Sequence, residues 1–409
     1  MASSFNNVIP RALDYFSEVE KLAGIQKRIE SYIYPETGNN SYGPTNNIIR
    51  FRFNAGMLDL RDSFWEFTGT CAATGGTYCR FSQGMSCVIN RLRVLVGSNC
   101  MIDISNANVL YQLFLLGQDP GFLNSTAAVL MGYTSQTVRN TDATNANRNY
   151  NINLGYICEL LNIVWPSDFI SDQICVEIYL EQANRCIETD GTNPTYVINT
   201  NQYHYGAFEC TEEYLSLVRD KINSGGIMIP YKSYENYVGN VTAGATNIQV
   251  VVPFKRQCLL GITYCARDNT VVSNPAISDK FQTFLNYTSF SSSRLKINDS
   301  YWPNDRVNNV YEAYIQNLEL WCLEHVLPVQ YGTNWPQYFV ISQSVAQDPR
   351  HLDHNDIISG IDTSQSTSTV TAELVLNSPG ASVLEEVQYF GYYYGLMYIR
   401  PNKSITFQQ

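Results

Sequence analysis

The sequence has few charged residues and no long apolar run. Only 15% of its 409 residues are charged, against about 25% in a typical soluble protein. No run of 18 apolar residues occurs, so we expect no membrane-spanning helix. The first residues lack a basic stretch followed by an apolar one, so we expect no secretory signal. The net charge of −11 argues against direct nucleic-acid binding, which needs clustered lysine and arginine.

Motifs of common enzymes are also missing. Gly225-Gly226 is not followed by Lys-Ser or Lys-Thr, so no P-loop is present, and no Gly-x-Ser-x-Gly elbow occurs. A glycosidase needs two carboxylates about 5–10 Å apart, and acidic pairs occur at Asp59/Asp62, Glu212/Glu213 and Glu385/Glu386. Glu212 and Glu213 are better explained as charges at a helix N-terminus. We therefore expect no catalytic residues and no enzymatic activity.

Residues of the types that can bind metals, cysteine and histidine, are scattered along the sequence. The eleven cysteines include no Cys-x-x-Cys pair, which argues against zinc. Residues 350–356 contain His351 and His354 with two aspartates but no distant third ligand, so a solvated loop is the simpler interpretation. We therefore expect no metal site and no cofactor. Cys158, Cys175 and Cys265 lie among apolar strand-like residues, which predicts free thiols in protein cores and a reducing compartment.

Aromatic residues are frequent. They make up 13% of the chain, with 29 Tyr and 18 Phe. Few charges and many tyrosines are typical of surface that is buried between subunits, because tyrosine combines an apolar ring with a polar hydroxyl. Two interpretations remain open: a large obligate interface, which we favour, or an aromatic-rich β protein without one.

The sequence also repeats itself weakly at an offset of about 200 residues. Three short segments recur in the same order: Asn47-Ile48 as Asn247-Ile248, residues 91–93 (Arg-Leu-Arg) as 294–296 (Arg-Leu-Lys), and Asn108-Val109 as Asn309-Val310. Solenoid units have about 20–50 residues. A period this long therefore indicates two copies of a whole domain.

Most of the chain alternates apolar and polar residues, as half-buried antiparallel strands do. Val176, Ile178 and Leu180, for example, alternate with Glu177 and Tyr179. The pattern predicts first-half strands over 48–53, 64–68, 87–96, 152–158, 174–180 and 196–205. It predicts second-half strands over 248–254, 257–265, 294–297, 338–342, 370–376 and 387–399.

Helices are predicted between the strands, over 109–116, 211–223 and 310–323. The middle helix has Thr211 as its N-cap and two glutamates in its first turn. Ser224-Gly225-Gly226 is a typical terminator, so we place the boundary between the two domains near residue 224.

A further helix is predicted over residues 10–34. Pro10 suits the first turn, and apolar residues recur at helical spacing from Ala12 to Ile25. Two interpretations remain open. The helix either packs on its own domain or forms an arm that docks on a neighbour or an inner layer.

Short strands, long loops and two similar halves predict an all-β fold. The best fit is two tandem eight-stranded jelly rolls, with short helices in the loops and a helix at the N-terminus. We place the N-terminal helical arm at residues 1–44, the first jelly roll at 45–223 and the second at 224–409.

Three segments carry a resemblance to known proteins: residues 193–205, residues 216–235, and residues 294–303 followed by Glu312-Ala313-Tyr314. They resemble segments of one family, the double jelly-roll major capsid proteins of polinton-like viruses, adintoviruses and virophages. In chain order they are similar to the last strand of the first jelly roll, to the inter-domain region, and to a strand and helix of the second half of these proteins. The resemblance extends over residues 42–400 and rests on the order of the segments. Short loops distinguish the chain from larger relatives, so no tall surface tower is expected.

The resemblance implies a major capsid protein of a DNA virus. Its homotrimers would form pseudo-hexagonal capsomers, because three chains with two jelly rolls each supply six lobes, and the capsomers would tile an icosahedral shell. Assembly is expected in the host cytoplasm or nucleus. Expected partners are further copies of the chain, penton and minor capsid proteins, and an inner membrane reached through the N-terminal helix, but no specific nucleic acid.

Two alternatives remain. One is a minor or penton component of a capsid. The other is a carbohydrate-acting β-sandwich protein, which exposed tryptophans and paired carboxylates in a groove would favour.

Overall fold

The computed structural model of the chain contains two pairs of β-sheets, one pair in each half. The structure describes residues 25–38, 41–82, 84–116, 118, 120–145, 148–241, 244–278, 290–321, 340–346, 360–377 and 384–408. In these residues we number the strands β1–β20 and the α-helices α1–α8 in chain order.

Eleven strands belong to the first half. They are β1 (Ile25–Ile33), β2 (Ile48–Arg52), β3 (Met57–Thr74), β4 (Cys79–Phe81), β5 (Ile89–Val96), β6 (Asn99–Ser105), β7 (Asn149–Ile152), β8 (Val164–Pro166), β9 (Ile174–Leu180), β10 (Ile187–Thr189) and β11 (Thr192–Cys210). One antiparallel sheet has the order β1-β11-β3-β7, and a second has the order β2-β9-β5-β6. With the eight strands lettered B to I, these are the BIDG and CHEF sheets of a jelly roll. β8 pairs with β3, while β4 and β10 form a separate ribbon.

The second half repeats this arrangement. Its strands are β12 (Ile227–Asn240), β13 (Asn247–Val252), β14 (Leu259–Asp268), β15 (Phe290–Ile297), β16 (Ser300–Val307), β17 (Ile341–Ser344), β18 (Val370–Leu376), β19 (Leu384–Ile399) and β20 (Ile405–Gln408). The order β12-β19-β14-β17 is again BIDG, and the order β13-β18-β15-β16 is again CHEF. β20 adds to β19.

Short helices lie between the strands. They are α1 (Ala107–Leu116), α2 (Pro120–Leu123), α3 (Thr126–Leu130), α4 (Gln136–Asn145), α5 (Ala183–Cys186), α6 (Glu212–Gly225), α7 (Asn269–Val272) and α8 (Val310–Trp321). Four 3₁₀ turns accompany them, at Met85–Val88, Leu154–Tyr156, Glu159–Leu161 and Ser167–Phe169.

The sequence repeat occupies matching positions in the two jelly rolls. Ile48 and Ile248 lie in the two C strands, β2 and β13, and the segments 91–93 and 294–296 lie in the two E strands, β5 and β15. The third pair of segments marks α1 and α8, each of which follows an F strand. The prediction of two tandem jelly rolls with helices in their loops is confirmed.

The helix predicted over 10–34 is wrong for Ile25–Ile33, which form β1, and residues 1–24 lie outside the described part. β1 is strand B of the first jelly roll, because Ile33 pairs with Tyr203 and Ile29 with Ala207 of β11. The expected helical arm of residues 1–44 is therefore a strand of the sheet over this stretch. The residues after Ile29 alternate between partly buried and exposed, and pairing with β11 decides the conformation.

Other strand predictions need correction. The strand expected at 152–158 ends at Ile152, and a 3₁₀ turn follows at Leu154–Tyr156. The strands β4, β6, β8, β10, β12, β16 and β20 were not predicted. The long strand β12 contains Pro230 and Gly239, which disfavour a strand, but it pairs with β19 along its whole length.

The hydrophobic core of the first jelly roll continues into the second. Trp65, Trp165 and Phe51 are fully buried in it. The same cluster contains Tyr231 and Met397 from the second BIDG sheet. A smaller, separate cluster fills the second jelly roll. The two halves are thus held together by shared apolar burial as well as by the chain connection.

Helix α6 connects the two halves as predicted. The Thr211 side chain accepts a hydrogen bond from the Tyr214 amide at 3.2 Å and caps the helix. Gly225 is the last helical residue, and a Cβ there would meet no atom within 4 Å. Gly226 follows with φ 76° and ψ 177°, a conformation that is essentially restricted to glycine.

Replacing Gly226 with alanine is expected to destabilise the protein by about 1–3 kcal/mol. Its Cβ would lie 2.6 Å from the Ile399 carbonyl oxygen, in addition to the backbone strain. Gly225→Ala is the matched control, because it improves helix propensity in open space. Urea denaturation measures both. Equal midpoints for the two variants would contradict the assignment of Gly226 as the turn residue.

Candidate functional site

Of the acidic residues singled out in the sequence, Asp59 is bound by arginines and Asp62 is exposed. Asp59 is buried, and its carboxylate accepts from Arg28 at 2.9 Å and from Arg61 at 2.7 Å. Burial opposes ionisation of Asp59, but the hydrogen bonds from Arg61 and Arg28 lower its pKa. Glu212 and Glu213 lie in the first turn of α6, as predicted.

Among the remaining acidic candidates, the structure describes the side chain of Glu386. Glu386 pairs with Arg185 at 3.4 Å, and the Glu385 side chain lies outside the described residues. His325, His351 and His354 also lie outside them. Within the described residues no group of three His, Cys, Asp or Glu side chains could hold a metal ion, and no helix is long and apolar enough to cross a membrane.

The tryptophans do not line a groove in the part of the chain that the structure describes. Trp65 and Trp165 are fully buried, and Trp302 is partly buried against the second core. The Trp321 side chain and Trp335 lie outside the described residues.

The two jelly rolls of the chain meet along an interface, which we call the seam. The first CHEF sheet contributes Arg91, Asp103 and Ser105, and the second BIDG sheet contributes Glu235 and Asn236, to the lining of one cleft of about 430 Å³. Strand β6 thus lies against strand β12. The first CHEF sheet therefore faces the second BIDG sheet within one chain.

A chain of hydrogen bonds crosses this seam. Asn106 donates to Asn236 at 2.9 Å, and Asn236 donates to Gln388 at 2.9 Å. Gln388 in turn donates to the carboxylate of Glu386, which also binds Arg185 of the first jelly roll. Residues of both halves therefore satisfy one another's polar groups, as buried polar groups require.

A buried arginine lies beside this hydrogen-bond chain. Arg267 of β14 is 1% exposed. Burial lowers the pKa of its guanidinium group, while the nearby Glu386 carboxylate acts in the opposite direction. Glu386 thus offsets the positive charge of two arginines at the seam, Arg185 of the first half and Arg267 of the second.

A second contact between the halves begins at a buried ion-pair network. Glu188 is fully buried, accepts from Arg80 at 2.8 Å and lies 3.5 Å from Arg139. Ser82 also donates to it, at 2.9 Å. Arg80 extends further and donates to Ser278 of the second half at 2.8 Å. This network therefore joins the β4–β10 ribbon to the second jelly roll.

Each CHEF sheet carries one arginine-bound glutamate on strand H. In the first, Glu177 binds Arg50 at 2.7 Å and Arg93 at 3.0 Å. In the second, Glu373 binds Arg294 at 2.6 Å and Arg306 at 3.1 Å. The partner from strand E, Arg93 or Arg294, is directly opposite the glutamate in both sheets.

The first BIDG sheet presents an aromatic row. Tyr32, His204 and Phe64 are in register on β1, β11 and β3, with the Phe64 and His204 rings stacked at 4.7 Å. Tyr32 and the neighbouring Tyr34 are 55% and 56% exposed. Tyr34 accepts a hydrogen bond from Gln202 at 3.3 Å. The first BIDG sheet thus has exposed tyrosine rings beside a stacked pair of rings.

The second CHEF sheet presents a basic face. The Arg294 guanidinium lies 3.7 Å from the centre of the Tyr301 ring, and Lys296 lies 5.9 Å from it. Val251 on the adjacent C strand is 59% exposed. This face therefore combines cationic side chains with one exposed apolar residue.

The aromatic row and the basic face lie on the two sheets that are not part of the seam. The first CHEF sheet and the second BIDG sheet face each other across the seam, whereas the aromatic row is on the first BIDG sheet and the basic face on the second CHEF sheet. Sequence reasoning predicted an extensive tyrosine-rich interface without locating it. Only strand pairing brings Tyr32, His204 and Phe64 into one row.

Comparison with known proteins identifies the fold. No family model matches the chain, and no curated protein matches it by sequence. Solved structures similar to it include three at 9–10% identity. PBCV-1 VP54, fitted into a reconstruction of the virophage Sputnik, has a TM-score of 0.64 at 10% identity and covers 94% of this chain and 97% of its own. The Faustovirus major capsid protein has a TM-score of 0.64 at 9% identity and covers 90% of each chain.

The mavirus major capsid protein extends the similarity to nearly the whole chain. It has a TM-score of 0.51 at 10% identity and covers 98% of this chain and 94% of its own. At such low identity these likenesses establish the fold, a double jelly roll, over most of the chain.

Proposed function

We propose that the chain is a viral major capsid protein whose homotrimer forms a pseudo-hexagonal capsomer of an icosahedral shell. The observation that carries this proposal is the duplication. Both halves have BIDG and CHEF sheets with the same strand order, and one hydrophobic core continues across the seam. Two jelly rolls fixed in one chain let a threefold assembly approximate sixfold packing. The similar Faustovirus and mavirus proteins are major capsid proteins.

The proposed role is structural rather than catalytic, and its location is the virion. The arginine partners of Asp59, Glu177, Glu188 and Glu373 support this role. Those carboxylates link strands and stabilise the sheets. Expected further partners are penton and minor capsid proteins and an inner membrane reached through the N-terminal segment.

The proposed domain limits follow the strands. The first jelly roll begins at Ile25, because β1 is its B strand, and ends with β11. Helix α6 connects it to the second, which begins at β12. This assignment moves the expected start of the first jelly roll from residue 45 to residue 25 and keeps the boundary near 224.

The seam within one chain suggests how chains join. A closed ring of six lobes repeats one kind of contact, so the second CHEF sheet should meet the first BIDG sheet of the next chain. These are the two faces that carry the basic groups around Arg294 and the exposed tyrosines Tyr32 and Tyr34. Arginine and lysine attract aromatic rings, so the two faces are chemically complementary.

The native mass of the purified protein tests the proposal. Each chain has a mass of 46.3 kDa, so light scattering should give three times that value, about 139 kDa, or a larger particle. A well-folded 46.3 kDa monomer at micromolar concentration would contradict the proposal. In purified virions a major protein should dominate a stained gel, whereas a penton or minor component should be a faint band.

A further inference from the structure

We propose that Cys71 and Cys79 form an oxidisable dithiol whose disulfide ties the β4–β10 ribbon to the first BIDG sheet. The two sulfurs lie 3.3 Å apart, with Cys71 on β3 and Cys79 on β4. Both residues are partly exposed, so a small oxidant can reach the pair. This proposal is independent of the proposed capsid function.

The turn between the two cysteines is already held in place. The Asp190 carboxylate accepts from the Thr77 and Tyr78 amides at 2.8 and 3.1 Å. Gly76 has φ 86°, and a Cβ there would lie 2.5 Å from the Asp190 carboxylate. Because this turn fixes the approach of β4 to β3, little chain motion is needed to form the bond.

The two thiols have different chemical roles. The hydrogen bond that Cys79 shares with Cys71 lowers the pKa of Cys79, and burial opposes this. Hydrogen bonding to Cys79 and burial both raise the pKa of Cys71. This difference favours Cys79 as the attacking thiol, because the thiolate is the reactive form, and Cys71 as the resolving thiol.

The reaction needs a small disulfide such as oxidised glutathione. The Cys79 thiolate attacks one of its sulfurs, forms a mixed disulfide and releases one glutathione thiolate. Cys71 then loses its proton and attacks the Cys79 sulfur, which releases the second glutathione. Two protein thiols are oxidised to one disulfide, and one small disulfide is reduced to two thiols.

The bond would strengthen a contact between the two jelly rolls. Cys79 lies between Tyr78 and Arg80, and both reach the second half. The Tyr78 hydroxyl lies 3.5 Å from the Ala276 carbonyl, and Arg80 donates to Ser278 at 2.8 Å. On the paired strand, the Thr189 amide donates to the Pro275 carbonyl at 2.7 Å. Fixing β4 therefore fixes the residues that hold segment 275–278.

Mass spectrometry of the full-length protein after incubation with oxidised glutathione tests the proposal. Trypsin cuts after Arg61 and Arg80, so one peptide contains both cysteines. We expect this peptide to lose two hydrogens, about 2 Da, and to regain them on reduction. Cys71→Ser should instead accumulate glutathione on Cys79. The thermal midpoint of the oxidised wild-type protein should rise by about 2–6 °C.

Cys100→Ser is the control, because Cys100 is exposed and distant in sequence. This variant should form the Cys71–Cys79 bond as the wild type does and should show the same rise in thermal midpoint. The proposal is overturned if the peptide keeps both hydrogens under conditions that modify Cys100 in the wild-type protein. It is also overturned if Cys71→Ser leaves Cys79 unmodified under those conditions.

Discussion

Glu188→Gln is expected to destabilise the protein by about 3–5 kcal/mol, because it removes the shared negative charge of a buried ion-pair network. Glu188 is 0% exposed and lies 2.8 Å from the Arg80 guanidinium and 3.5 Å from that of Arg139. The substitution preserves the side-chain volume, so the loss measures the charge rather than a cavity. Urea denaturation, with the free energy of unfolding extrapolated to water, gives the value.

Glu209→Gln is the matched control for Glu188→Gln. Glu209 is exposed near the end of β11, so the same chemical change should alter the free energy of unfolding by less than about 0.5 kcal/mol. A triple variant that also replaces Arg80 and Arg139 with methionine should recover part of the loss, because no buried charge is then left unpaired. A loss below 1 kcal/mol in Glu188→Gln would show that water or rearrangement compensates the arginines.

The repeat and the strand alternation were sufficient to predict the fold. Both are local signals. Asn47-Ile48 and Asn247-Ile248 mark the C strands, and the alternation around Glu177 predicted β9 with its observed limits, Ile174–Leu180. These signals are visible in a single sequence because each jelly roll must bury one face of every strand.

The two main errors have a common cause in non-local pairing. Ile25, Ile29 and Ile33 fit helical spacing, and Ile29, Ser31 and Ile33 also fit strand alternation. Pairing with residues of β11 that are 170 or more positions away in sequence selects the strand. β12 was missed for the same reason, since its partner β19 is distant and its own residues include Pro230.

The candidate interface could not be located from the sequence. Asn106, Asn236 and Gln388 are ordinary polar residues whose connection exists only after the two halves pack together. The arginine partners of Glu177 and Glu373 left a detectable signal, because the segments 91–93 and 294–296 supply one of them in each half. No comparable repeat marks Tyr32, whose sheet face differs in composition from that of β12.

Tyr32→Lys is expected to convert the assembled protein to monomers of 46.3 kDa while leaving the jelly rolls folded, because the basic face of the next chain would repel the new charge. The contact between the first CHEF and second BIDG sheets within a chain predicts that the first BIDG sheet meets the basic second CHEF sheet of the next chain. Tyr32 is 55% exposed in the single chain and would be covered there. Loss of a central tyrosine costs about 2 kcal/mol or more per interface, and a closed trimer loses it at all three.

Light scattering measures the mass of Tyr32→Lys, and circular dichroism confirms that its β-structure is retained. Tyr311→Lys is the control, because Tyr311 is 81% exposed but lies on α8, outside both sheet faces. It should keep the wild-type mass. If Tyr32→Lys assembles as the wild type does, the chains do not meet through the first BIDG sheet. If both variants lose assembly, the contact extends to α8. Loss in Tyr32→Lys alone places the aromatic row between subunits, because exposed tyrosines elsewhere on the chain would then be dispensable.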